Sequence, residues 1–98
     1  MAGMELSEFL LARIAEREAW AMREGTLRGY RDGEAGGPAL DLGDCEAKRR
    51  IVGWHASVAE RVDVVPGLEP RHNELGMVLR ALALPYADHP DYDPEWKP

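Results

Sequence analysis

Glycines and prolines cut this chain into three stretches, and each stretch repeats its apolar residues at a helical period. The first break, Thr26–Gly43, holds a run of glycines and Pro38; the second, Asp63–Asn73, holds Pro66, Gly67 and Pro70. Between the breaks apolar side chains recur about every 3.6 residues, and no segment alternates as a half-buried strand would. The expected fold is all-α: a three-helix domain with helices over about 8–24, 45–62 and 74–84. A long Gly-rich loop joins the first two, and an extended aromatic and acidic tail follows over 85–98. Ninety-eight residues make one domain, so residues 1–98 are read as a single unit.

Each helix carries its own pattern. In the first, Ser7 is placed to cap the start, with Leu6 and Leu11 positioned as a hydrophobic staple. Phe9, Trp20, Leu10, Ala21, Ile14 and Met22 spread over a broad apolar arc of about 220°. Arg13, Arg17 and Glu18 fall inside that arc, which calls for snorkelling side chains, a buried ion pair or a partner surface. So wide an arc also makes a homodimer a candidate arrangement. In the second helix, with Asp44 as its cap, Trp54, Ala47, Val58, Ile51, Val62 and His55 form one side. Arg49, Glu60, Glu46, Arg50 and Arg61 form the other. The third helix is apolar on two faces, Leu75, Val78, Leu79 and Leu82 on one and Met77, Ala81 and Leu84 on the other. Such a helix is expected at the centre of the fold, packed by the other two.

The tail carries Tyr86, Tyr92 and Trp96 among Asp88, Asp91, Asp93 and Glu95, stiffened by Pro85, Pro90 and Pro94. Prolines reduce the freedom lost on docking, and aromatic side chains anchor such segments. The tail is therefore expected to fold back on the helices, a carboxylate of Asp88, Asp91 or Asp93 meeting Arg13 or Arg17.

Several classes lose ground on composition. Cys45 is the only cysteine, so an internal disulfide and a Cys-rich zinc site are excluded. The N-terminal residues lack a basic start followed by an apolar run, so no signal peptide is expected. No apolar stretch reaches membrane-span length, and the expected location is the cytoplasm. The net charge of −6 leans away from nucleic acid. Ten arginines against two lysines suit ion pairing, although a GC-rich genome gives the same bias.

The stretches Glu46-Ala47-Lys48-Arg49-Arg50-Ile51 and Leu79-Arg80-Ala81-Leu82-Ala83-Leu84-Pro85-Tyr86-Ala87-Asp88-His89-Pro90-Asp91-Tyr92, followed by Glu95-Trp96-Lys97-Pro98, carry a resemblance. With Phe9-Leu10 and Ala12-Arg13-Ile14, they resemble a family of small uncharacterised proteins from Streptomyces-like actinobacteria and their phages. The resemblance implies such a source and a role outside core metabolism, and brings no activity. The resemblance implies that many relatives carry a Cys-x-x-Cys pair with a further cysteine between the second and third helices; this chain has none there, so any zinc role of theirs is lost here or was never essential to the fold.

No set of polar residues has the spacing of a catalytic or metal-binding motif, and no cofactor is expected. His55 reads as a packed histidine, His72 as an exposed loop residue, and His89, between Asp88 and Asp91, as the best candidate for chemistry. Cys45 stands beside Asp44, whose charge opposes thiol activation. The leading expectation is a non-catalytic domain that binds an unidentified protein, as a phage-derived regulator of a host protein. The candidate contact residues are Arg13, Arg17, Trp20, Tyr86, Asp88, His89, Asp91, Tyr92 and Trp96. The alternatives are a nucleic-acid-associated regulator using Lys48, Arg49 and Arg50, and a small metal-dependent enzyme at His89.

Overall fold

The computed structural model describes residues 4–28 and 38–98, with side chains for 4–24 and 39–98. Three helices, α1 (Leu6–Arg28), α2 (Pro38–Ala59) and α3 (Glu69–Ala83), are followed by two short 3₁₀ turns at Leu84–Tyr86 and Pro94–Trp96. The three-helix, all-α expectation holds. None of the described helices is long and apolar enough to cross a membrane.

The helices outrun their sequence-based limits for local reasons. The first ladder bond of α1 runs from the Phe9 N–H to the Glu5 carbonyl at 2.9 Å, so Ser7 lies within the first turn and is not its cap. Pro38 opens α2, the helix position for which its fixed φ and missing N–H are suited. Asp44 is consequently inside α2 and exposed, not a cap. Helix claims Thr26–Arg28 and Pro38–Gly43 from the expected loop; its remainder, 29–37, lies outside the described residues. Pro70, read as a breaker, stands in the first turn of α3, where a proline costs nothing. The chain reverses between α2 and α3 through carbonyl O of Arg61, which accepts from the Val64 and Val65 N–H groups. Gly67 completes the turn at φ +86°, a conformation other residues rarely adopt.

α1 and α2 lie antiparallel. The Cys45 thiol meets the Ile14 carbonyl at 3.8 Å, and Arg17 reaches Asp41 near the start of α2. The core joins Phe9, Leu10 and Ile14 to Cys45 and Val52, to Leu79 and Ala83, and to Trp96. α1 thus supplies more of the core than either other helix, which corrects the expectation that α3 lies at its centre. Only Leu79 and Ala83 of α3 are buried, while Met77 is 51% exposed. A second apolar stripe needs a second neighbour, and no described element covers the Met77 side.

The tail is a succession of turns and not an extended strand. Pro85 and Pro94 each stand at the start of a 3₁₀ turn, and the Asp93 carboxylate accepts from the Glu95 N–H at 2.9 Å. These turns bring Tyr86, His89, Tyr92 and Trp96 around the fully buried Phe9 ring, at centroid distances of 6.1, 5.4, 6.1 and 5.1 Å.

Phe9→Ala and Trp96→Ala should each destabilise the protein by ~3–5 kcal/mol, and Met77→Ala by no more than about 0.5 kcal/mol. Chemical denaturation checks both. Because Phe9 and Trp96 touch, the double mutant should lose less than the sum. Additive losses would mean that the tail and α1 are energetically separate.

Candidate functional site

Five of the nine residues singled out from sequence meet at the tail cluster, and they mostly serve the fold. Arg13 is only 8% exposed. Its guanidinium lies 5.0 Å from the Phe9 centroid, its Nη2 donates to Glu16 at 2.8 Å, and its Nη1 is 2.5 Å from Nε2 of His89 and 3.0 Å from Nδ1. That ring nitrogen also faces the Asp91 N–H at 3.0 Å. The tail thus offers Arg13 an imidazole, and not the expected carboxylate. Arg17 turns the other way: it stacks 4.0 Å over the Trp20 ring and pairs with Asp41 of α2. The Asp88 and Asp91 side chains stay at the surface. Arg13 Nε and Tyr92 Oη are buried without a hydrogen-bond partner.

Other cations are also held within the molecule. Arg49 donates through Nε and Nη2 to both carboxylate oxygens of Glu18, the first at 2.9 Å, and Arg50 pairs with Glu46. The Arg49 bonds hold the Glu18 carboxyl below its usual range. Cys45 is buried, and burial pushes its thiol up, away from nucleophilic use.

The distinctive surface lies elsewhere, where sequence reasoning did not look. All residues of the core cluster, and the partly buried apolar residues packed on it, fall within 6–14, 45–52 and 79–96. The α2–α3 hairpin continues past this core, so among the described residues its outer end has only itself to pack on. There Trp54, Val58, Leu75 and Val78 floor an open groove of about 490 Å³. Arg61, Arg71, Glu74 and Ser57 edge it. Trp54 is 59% exposed. It stands two residues past Val52, about 200° around the helix from the face that meets α1. The wheel placed Trp54 within the apolar arc of α2, but that arc divides between two partners, and Trp54 falls on the outer lip of the second.

On the other flank of the hairpin, His55 and His72 stack with centroids 5.0 Å apart and planes 25° apart. Both are half-buried, as expected for His55 and contrary to the exposed position expected for His72. Asn73, Met77 and Arg80 line the same cleft. Desolvation, aided by His72, pushes the His55 pKa down.

A depressed histidine is neutral in the fold while the unfolded chain still takes up a proton. Its contribution is complete above the unfolded value of about 6.5 and is lost as pH falls toward the folded one. The melting temperature should therefore fall between pH 7.5 and 5.5, and His55→Gln should flatten that slope. An equal slope in the variant would assign the dependence to other groups. In the tail, Tyr92→Phe removes an unpaired buried hydroxyl and should be neutral or stabilising by up to about 1 kcal/mol in chemical denaturation.

Comparison with known proteins adds a family and no activity. No curated protein and no solved structure matches the chain. One family model, described as a family of unknown function (DUF6221), matches residues 3–98, which takes in all three helices and the tail that closes on Phe9. Since that match spans nearly the whole chain, the protein belongs to the DUF6221 family of unknown function.

Proposed function

We propose that this chain is a non-catalytic protein-interaction domain whose docking face is the outer end of the α2–α3 hairpin. The observation that carries this reading is the exposed Trp54 over an apolar groove beyond the core. Val64, 76% exposed, and Val65 add further exposed apolar side chains at the hairpin tip. Contiguous apolar surface beyond the ordinary scatter marks interaction sites, and tryptophan is enriched among residues that dominate binding energy. The resemblance to actinobacterial and phage proteins makes a host protein the natural partner, with the domain as its regulator in the cytoplasm.

Two other readings are less well supported. Nucleic-acid binding would use Lys48, Arg49 and Arg50, but Arg49 and Arg50 are engaged by Glu18 and Glu46. A metal at His89 would have to sit beside the Arg13 guanidinium, whose charge repels a cation.

A photo-crosslinking amino acid at Ser57, in the groove, should capture a protein in cells of the source organism. The same probe at Glu16, on α1, should not. Trp54→Ala should abolish capture while changing stability by no more than about 1 kcal/mol. Equal capture from both positions, or capture indifferent to Trp54, would remove the groove from consideration.

A further inference from the structure

We infer that the groove of the α2–α3 hairpin accepts an acidic peptide segment, with an aromatic or aliphatic side chain seated between Trp54 and Val78 and carboxylates held by Arg61 and Arg71. This rests on the interaction reading above and adds the chemistry of the partner.

The inference comes from how the cations are distributed. Along α1 and the first part of α2 four arginines are matched inside the molecule: Arg13 with Glu16, Arg17 with Asp41, Arg49 with Glu18 and Arg50 with Glu46. Neither arginine at the groove is matched in this way. Among the described residues Arg61 reaches only its own turn, with Nη2 at 3.3 Å from Ser57 Oγ and Nε at 3.4 Å from the Ser57 carbonyl. Arg71 forms no ion pair among the described residues, although Glu74 stands one turn along the same helix and lines the same groove. Both arginines are exposed and edge an apolar floor.

In a chain of net charge −6, Arg61 and Arg71, without carboxylate partners among the described residues, outnumber Glu74 in the groove lining and form a local reversal of sign beside an exposed tryptophan. An acidic ligand is attracted to that spot and repelled by most of the remaining surface, which fixes where and in what orientation it docks. Planar guanidinium groups pair with carboxylates in a forked geometry. The floor supplies the burial that rim charges alone do not. Glu74 at the edge disfavours a carboxylate on its own side and favours an arrangement in which the acidic residues lie toward Arg61. A second copy of this chain is the competing occupant, and its own acidic surface would have to be brought into register with the groove.

The test pans a displayed library of random dodecapeptides on the full-length protein, then measures enriched peptides by fluorescence anisotropy. Enriched sequences should combine an aromatic or large aliphatic residue with two or more neighbouring carboxylates. Their affinity should drop roughly ten-fold or more in the Arg61→Glu, Arg71→Glu double variant and weaken with added salt. Lysine-substituted peptides should regain affinity for that variant. Neutral or basic consensus sequences, binding indifferent to the charge reversal, no enrichment, or a concentration-dependent dimer that protects Trp54 from quenching would each overturn the inference. The Ser57 crosslink keeps the two ideas apart. A Trp54-dependent adduct that survives the charge reversal leaves the interaction reading standing and removes the acidic partner, whereas no adduct at all removes both.

Discussion

The ring of Phe9 is where the two ends of this chain are joined. It is fully buried, and its surroundings come from α1 itself, through Arg13 four residues on, and from the tail, through Tyr86, His89, Tyr92 and Trp96. Edge-on aromatic contacts add ~0.5–1.5 kcal/mol each beyond area burial. In a small domain with a limited core, that contribution is a sizeable share of the total. The tail is therefore part of the domain. It supplies the cover that a fourth helix would provide in a larger bundle.

This arrangement has a consequence at the other end. The tail and α1 together enclose the part of the molecule that includes Val52 and Leu79, and burial is concentrated there. Among the described residues the hairpin beyond is held by contacts between α2 and α3, among them Val58, which is buried, and the stacked His55 and His72. The molecule is elongated, with extents of 50 × 29 × 19 Å. The aromatics close on Phe9 within the core, and the outer end of the α2–α3 hairpin presents an apolar groove with charged edges. The proposed interaction surface follows from this unequal division of cover, and it needs no special residue beyond Trp54.

Electrostatics follow the same division. Where α1 and α2 run side by side, arginines and carboxylates face one another and pair. Surface pairs of this kind are individually worth little, but they leave those cations already engaged. Past the end of the α1–α2 contact, α3 offers Arg71 toward Arg61, and the pairing pattern fails. Arg13 is the exception inside the core: its charge is accommodated by Glu16, the Phe9 face and an imidazole, with Nε left unpaired.

The sequence by itself determined the number of helices, their approximate places and the aromatic character of the tail. Helical periodicity and Gly/Pro punctuation are local properties, set by backbone geometry within a few residues. It also placed Arg13, His89, Tyr86, Tyr92 and Trp96 among the unusual residues, and the fold gathers these around Phe9. Helix ends were less legible, because Pro38 and Pro70 read as breakers when they are helix openers. Only the tertiary structure decided which apolar faces would be covered. A wheel states that Trp54, Met77 and Val78 are apolar; it does not state whether a neighbour reaches them. That depends on the axial offset and rotation of the helices against one another, which arise from packing at Phe9, Leu10, Ile14, Cys45, Val52 and Leu79 together. Likewise, the partner of each arginine is fixed by distance between elements, so Arg17 found Asp41 and Arg61 found no carboxylate among the described residues.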